Sequence, residues 1–301
     1  MESEDPMRTQ TVVVAVDGTD ASRAAIRWAT AEAQRRERPL RVVHVMDWNW
    51  GGARFDVAGH EYETARRHAD ALAAGAARQA RDIAPELDVD EDVLIGDAAA
   101  QLIIESESAE LIVLGHRGHG GFAGLRLGSV SQRVATHAHC PAVVVRGNDE
   151  NDARPVIAGV DDSAAADGVL ETAFAAAHQR GVHLVMIRSY MPPFPHYHGS
   201  LPPAQVHTPA QDAAEHTRLA EQVAPWQSKY PQVRVEMLVS HDSAAAVLVG
   251  VSHTAQLVVV GSRGHGVIAG TLLGSTGLQL LHHAECPVLI VRTGKKHGPA
   301  R

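Results

Sequence analysis

Residues 115–146 read GHRGHGGFAGLRLGSVSQRVATHAHCPAVVVR, and residues 261–292 read GSRGHGVIAGTLLGSTGLQLLHHAECPVLIVR. Aligned without a gap, the two stretches are identical at 16 of their 32 positions. An earlier pair of segments repeats in the same way, VVVAVDGTDAS around Asp17 and VIAGVDDSAAA around Asp161. A repeat of this length indicates a duplicated domain rather than the short units of a solenoid.

The length of the chain agrees with a duplication, since 301 residues accommodate two domains of the commonest size, roughly 100–150 residues each. The segment GNDENDAR at residues 147–154 is polar and has the composition of a linker. We therefore expect one domain at residues 1–147 and a second at residues 154–294.

Short apolar segments alternate with helical patterns in each repeat. Such alternation is typical of a parallel sheet that is covered by helices on both faces. Right-handed crossovers then predict a doubly wound, Rossmann-like α/β domain in each repeat, with ligands beyond the carboxyl ends of the strands. The predicted strands are Val12–Val16, Leu40–Met46, Val89–Ile95, Leu111–Leu114 and Ala142–Val145, then Val156–Val160, Val182–Arg188, Val233–Val239, Leu257–Val260 and Val288–Val291.

A glycine pattern follows the fourth strand of each repeat. Glycines let backbone N–H groups approach an anion closely, and a helix N-terminus offers further N–H donors, so the pattern suits a polyphosphate. A tight strand-to-helix turn that binds nothing is the alternative, although the same spacing in both repeats disfavours it. The pattern comprises Gly115, Arg117, Gly118, Gly128 and Ser129 in the first repeat, and Gly261, Arg263, Gly264, Gly274 and Ser275 in the second.

Two other phosphate motifs are missing from the sequence. No Gly-x4-Gly-Lys-Ser/Thr occurs, which argues against a P-loop NTPase. The turn after the first strand, Asp17-Gly18-Thr19, lacks the glycines of a dinucleotide fingerprint, which argues against NAD or FAD.

Together, Gly-x2-Gly-x9-Gly-Ser after the fourth strand and an Asp at the end of the first resemble the ATP-binding subgroup of the universal stress protein family. The likeness covers nearly the whole chain as two tandem domains, and it implies five-stranded parallel sheets of order 3-2-1-4-5. It also implies that Asp17 and Asp161 lie near adenine and ribose, and that Val45 and Ile187 offer backbone atoms to adenine. The glycines and Ser129 or Ser275 would then hold ribose and phosphates, with Val130, Ser131 and Thr276 at the start of the phosphate-facing helix.

The resemblance implies a cytoplasmic, ATP-dependent regulator of stress response or growth arrest, with an unidentified protein partner and the capacity to form a homodimer. Asp17 and Asp161 could bind Mg²⁺ instead of the sugar. No pair of carboxylates is spaced for acid–base catalysis, so we expect neither catalytic residues nor a protein-bound metal cluster. Two alternatives stay open: slow ATP hydrolysis or adenylyl transfer, and a structural dimer module without a ligand.

Composition narrows the class of partner. The net charge is −8 with no long basic run, which argues against a nucleic-acid backbone. No apolar run reaches the length of a membrane span, and the first nine residues lack an apolar signal core. The only cysteines, Cys140 and Cys286, each precede a proline, and we expect both to be buried structural thiols.

Three differences between the repeats predict that the first site binds nucleotide more tightly than the second. Asp162 replaces Gly18 and would add a carboxylate beside the adenosine. Ser240 corresponds to Gly96 and would narrow the backbone approach. Gly277 replaces Ser131 and would remove a hydroxyl from the phosphate end, although Thr276 in place of Val130 could restore one.

Trp48 and Trp50 follow the second strand directly, close to the expected position of adenine. They would either stack on the ligand or cover the edge of the core.

Overall fold

The computed structural model of the protein describes residues 10–48, 60–118, 126–147, 153–190, 209–264 and 273–292. By its contacts the chain divides into two compact units, Met1–Arg146 and Gly147–Arg301. Among the described helices, none is both long and apolar enough to cross a membrane.

The first unit is a five-stranded sheet in which every neighbouring pair of strands is parallel. Its strands lie in the order β3-β2-β1-β4-β5, which confirms the predicted 3-2-1-4-5 arrangement for this half. The elements in chain order are β1 (Thr11–Val16), α1 (Asp20–Arg36), β2 (Leu40–Met46), α2 (His60–Ile83), β3 (Val89–Ile95), α3 (Ala98–Glu105), β4 (Ala109–Gly115), α4 (Ser129–His137) and β5 (Ala142–Val145).

The second unit repeats this architecture, with its parallel strands in the order β8-β7-β6-β9-β10. The order of helices and strands along the chain is also the same. The elements are β6 (Val156–Gly159), α5 (Ala166–Arg180), β7 (Leu184–Ser189), α6 (Pro209–Lys229), β8 (Val235–Ser240), α7 (Ala244–Val251), β9 (Leu257–Gly261), α8 (Ser275–His283) and β10 (Val288–Val291).

The core of each unit consists of strands that are apolar on both faces, because helices cover both sides of the sheet. The central strands β1, β4 and β9 each contain an unbroken run of three or four buried Val, Leu or Ile residues. Alanine, rather than an aromatic residue, makes many of the helix–sheet contacts. Helix α2, for example, buries five alanines between Ala69 and Ala80. Both cysteines are buried, which confirms their predicted burial.

Strand register fixes which residues of the two units are equivalent. Leu40 and Leu184 hold the same position against the first strand of their unit and are 144 residues apart. Val89 and Val235 pair with them in the next strand and are 146 residues apart. The second repeat therefore has two extra residues between β7 and β8.

This register corrects one correspondence that was drawn from the sequence. Val45 and Ile187 are each predicted to offer backbone atoms to adenine from the end of a second strand, but the residue equivalent to Val45 is Ser189. Ile187 corresponds to Val43, one step further back on the same face of the strand.

Candidate ligand-binding sites

Each unit has a cavity beyond the carboxyl ends of its strands, where ligands of doubly wound sheets bind. The cavity of the first unit has a volume of about 800 Å³ and that of the second about 470 Å³. Every site residue that the sequence suggested lines one of them. The first is lined by Asp17, Val45, Gly115, Arg117, Gly118, Gly128, Ser129, Val130 and Ser131, and the second by Asp161, Ile187, Gly261, Arg263, Gly264, Gly274, Ser275 and Thr276.

The aspartate after the first strand is held by the turn that starts the next helix. Asp17 Oδ1 accepts hydrogen bonds from Thr19 N at 3.0 Å and from Thr19 Oγ1 at 2.7 Å. Thr19 in turn caps α1 by accepting from Ser22 N at 3.2 Å. In the second unit Asp161 Oδ1 accepts from Ser163 N at 2.9 Å. Both carboxylates are thus held in one orientation by the protein itself, without a ligand.

The second glycine of each loop lies directly against this carboxylate. A Cβ built on Gly118 would overlap Asp17 Oδ2. One built on Gly264 would lie 2.5 Å from Asp161 Oδ2, again far inside van der Waals contact. Both positions therefore require glycine, because any side chain would displace an aspartate that its own turn holds in place.

The third glycine begins the helix after the loop in both units. Gly128 N donates to His116 O, and Gly274 N donates to Ser262 O, both at 2.8 Å. These glycines are the N-cap residues of α4 and α8, and neither helix has a side-chain cap. The first backbone N–H groups of α4 and α8 therefore face the cavity end without a capping side chain, which is how helix termini bind anions.

Ser131 has a structural bond in addition to its place in the cavity wall. Its side chain is buried, and Oγ donates to Gly115 O at 2.6 Å. The Ser131 hydroxyl that was expected at the phosphate end therefore already donates its hydrogen bond to the end of β4 and links α4 to that strand. The equivalent Gly277 lacks this tie, and a Cβ there would meet Leu273 at 2.9 Å.

Several cavity residues were missed from the sequence because they belong to no motif. His44 alternates with Val43 and Val45 on β2, and its Nδ1 lies 2.8 Å from Val16 O. Asp47, His68, Leu72 and Leu102 also line the first cavity, and Ser189, Ser243, Ala244, Ala245 and Leu248 line the second. Only the expectation that strand ends face the ligand could have identified His44, Asp47 and Ser189.

Trp48 packs against the core cluster of Met46, Ala69, Ala73 and Val93, with its ring edge-on to Tyr62 at 5.3 Å. These contacts support a role in covering the core for this tryptophan. Trp50 lies outside the described residues.

An ion-pair cluster around a buried arginine lies beside the second cavity. Arg188 is 5% exposed and donates to Asp162 Oδ2 at 2.5 Å and to Glu215 Oε2 at 2.6 Å. Gln222 Nε2 donates to Asp162 Oδ1 at 3.2 Å. The carboxylate that was expected beside the adenosine is therefore paired with a guanidinium.

The first unit has much smaller groups at these positions. By strand register and the matching ends of α2 and α6, the residues equivalent to Arg188, Glu215 and Gln222 are His44, Ala69 and Ala76. Gly18 stands where the second unit has Asp162 and adopts a φ of +85°, which few other residues tolerate. Smaller side chains here accord with the larger cavity of the first unit.

His116 lies within the first glycine loop, and its pKa is lowered chiefly by burial, with Arg146 and Arg117 adding to the effect. The neutral imidazole is therefore favoured in the folded chain, whereas an unfolded histidine titrates near pH 6.5. Stability contributed by this residue is present above that pH and falls as the pH drops through it.

We accordingly expect His116→Ser, which introduces the residue of the second loop, to reduce the stability lost on acidification. Urea unfolding of the wild type and the variant at pH 7.5 and pH 5.5 measures this. The wild type should lose more stability between the two pH values. An equal loss in both proteins would contradict the assignment.

Comparison with known proteins agrees with the duplication. The model of the "Universal stress protein family" matches residues 8–146 and again residues 153–292. A universal stress protein from Mycolicibacterium smegmatis is 35% identical over 289 residues, covering 93% of this chain and 96% of the relative. One from Mycobacterium tuberculosis H37Rv is 34% identical over 295 residues, covering 95% and 98%.

Solved structures show the same fold at lower identity. A universal stress protein from Archaeoglobus fulgidus superposes with a TM-score of 0.71 at 18% identity, covering 96% of this chain and 99% of that one. A putative universal stress protein from Pseudomonas aeruginosa gives a TM-score of 0.60 at 14% identity, with coverage of 94% and 93%.

Proposed function

This chain belongs to the universal stress protein family as a tandem of two family domains, and from that premise we propose that it binds ATP in both cavities and acts as a nucleotide-dependent regulator. One observation carries the proposal. In each unit a loop glycine packs against a fixed aspartate, next to a helix N-terminus without a side-chain cap.

The arrangement matches the parts of a nucleotide. Backbone N–H groups at the starts of α4 and α8 provide the phosphate end, and Arg117 or Arg263 adds positive charge in the same loop. The carboxylates of Asp17 and Asp161 suit the hydroxyls of a ribose. In each unit the glycine loop is on one side of the first strand, and the end of β2 or β7 is on the other. The base would therefore lie at the end of β2 or β7.

Mg²⁺ fits this picture as a companion of the phosphates. It keeps several waters and needs only one or two carboxylates from a protein. Asp17 or Asp161 could supply one such ligand. The regulatory output would follow from a partner protein that distinguishes the nucleotide-bound chain from the empty one.

Two measurements on the purified full-length chain test the proposal. Mass spectrometry should identify an adenine nucleotide that copurifies, and calorimetry with ATP should reveal binding that Gly118→Ala and Gly264→Ala together remove. Binding that is unaffected by the double variant would contradict the assignment to these cavities. ADP or AMP accumulating in proportion to protein would instead favour the alternative of slow hydrolysis or adenylyl transfer.

Asp17 should contribute to both binding and folding, and two variants separate the roles. Asp17→Ala removes the acceptor for Thr19, so we expect a stability loss of about 1 kcal/mol as well as weaker ATP binding. Asp17→Asn retains an oxygen that can accept from Thr19 N. We expect it to keep most of the stability while still weakening ATP binding several-fold.

Calorimetry with ATP in the Gly264→Ala background and urea unfolding without ligand give the two quantities. Unchanged ATP affinity in Asp17→Asn would show that the charge of this carboxylate has no part in binding.

A further inference from the structure

The end of β7 presents alternate side chains to opposite faces of the sheet. Ile187 and Ser189 line the second cavity. Arg188, between them, is directed to α6 and bonds Glu215 there. Because residues two apart share a face of a strand, Ser189 belongs to the cavity face and not to the ion-pair cluster.

The hydroxyl of Ser189 is buried, yet within the described part of the chain it has no hydrogen-bond partner. Its neighbours in the cavity wall supply none. Ala244, Ala245 and Leu248 are apolar, and the Ser243 hydroxyl caps α7 by accepting from Ala246 N at 3.2 Å. Buried polar groups in native proteins are nearly always paired, so this one indicates a partner that binds in the cavity.

The strand order indicates which part of a nucleotide lies at Ser189. β9 and its glycine loop are on one side of β6, and β7 is on the other. With the phosphates at the N-terminus of α8, the nucleotide extends across Asp161 toward β7. The part that arrives there is the edge of the base furthest from the ribose.

We propose that Ser189 is a specificity-determining residue of the second cavity, whose hydroxyl hydrogen-bonds the exocyclic amino group of a bound adenine nucleotide. This inference rests on the proposed function. The equivalent residue of the first cavity, Val45, has no polar side-chain atom. The two cavities therefore differ in how they recognise the base, and only the second uses a side chain at this position to select it.

The test uses the full-length chain with Gly118→Ala, which confines binding to the second cavity. The probes are ATP and purine riboside 5′-triphosphate, which lacks the exocyclic amino group. Ser189→Val removes the hydroxyl, and Ser189→Thr is the matched control because it has nearly the shape of valine and retains the hydroxyl.

Calorimetry should show ATP affinity falling roughly five- to tenfold in Ser189→Val, the effect of one neutral hydrogen bond. Affinity for purine riboside triphosphate should be equal in Ser189→Val and Ser189→Thr, and Ser189→Thr should retain the preference for ATP.

Two results would overturn the inference while leaving the proposed function standing: unchanged ATP affinity in Ser189→Val, or an equal loss for both probes. Absence of any nucleotide binding to the second cavity of the parent chain would overturn both. This last outcome is excluded if the Gly118→Ala chain binds ATP and loses that binding when Gly264→Ala is added. Thermal unfolding of each variant without ligand establishes that it is folded.

Discussion

Gly118→Ala is expected to remove detectable ATP binding from the first cavity, a loss of roughly a hundredfold or more, since the displaced loop or carboxylate loses at least one hydrogen bond to a charged group. The added methyl group would overlap Asp17 Oδ2. Asp17 cannot move away without cost, because Thr19 N and Thr19 Oγ1 both donate to its other oxygen. Either the loop or the carboxylate must therefore leave its position at the ligand.

Gly75→Ala is the matched control in the same unit. Gly75 lies in α2, and a Cβ there would come no closer than 3.8 Å to the flexible end of Arg78. Alanine favours helix over glycine, so this variant should be as stable as the wild type or more so. Isothermal calorimetry in the Gly264→Ala background measures only the first cavity. Equal affinity in Gly118→Ala and Gly75→Ala would contradict the phosphate-loop assignment.

Arg188→Ala is expected to destabilise the second unit by about 2 kcal/mol, since it removes a buried guanidinium that bonds two carboxylates at once. Glu215 would keep a side chain that is only 14% exposed, and Asp162 would lose its guanidinium. The paired arrangement itself need not exceed an apolar one in stability. The loss of stability arises because the variant removes the arginine and leaves the carboxylates in place.

Arg218→Ala provides the comparison, because Arg218 bonds the same Glu215 at 2.7 Å but is 59% exposed. Exposed ion pairs contribute about 0–1 kcal/mol. Urea unfolding of the two variants therefore compares two arginines that bond the same carboxylate but differ in burial. Similar losses in both would show that burial of Arg188 does not determine its contribution.

The strands and the sheet order could be predicted from the sequence because the relevant signals are local and repeated. Ala142–Val145 and Val288–Val291 are short apolar runs after Cys-Pro, and both are strands with those bounds. The glycine spacing is equally local, so it placed Gly118 and Gly264 in the cavities without knowledge of their contacts.

What the sequence did not reveal depends on distant side chains and on register. Nothing near Asp162 in the sequence indicates that Arg188, 26 residues later, pairs with it. The same holds for Ser131 and its bond to Gly115, 16 residues earlier. These two contacts remove two of the three reasons for expecting a weaker second site.

The third reason rested on a wrong alignment. Gly96 was matched with Ser240, but Asp97 and Ser243 are both the N-cap residues of the following helix, so Gly96 corresponds to Asp242. Two additional residues in the second repeat caused this shift, and only strand pairing locates them. A difference between the sites is now supported by cavity size and by Ser189 rather than by those three positions.

The contact between Gly118 and Asp17 also restricts the order in which this protein can accumulate mutations. Any residue with a Cβ at position 118 is blocked as long as Asp17 retains its carboxylate, and the same holds for Gly264 with Asp161. Exchanging Asp17 for glycine first would remove the obstacle, after which position 118 could vary. Loss of the loop glycine should therefore be strongly epistatic with the aspartate, so that a decaying copy of the domain changes the aspartate before the glycine.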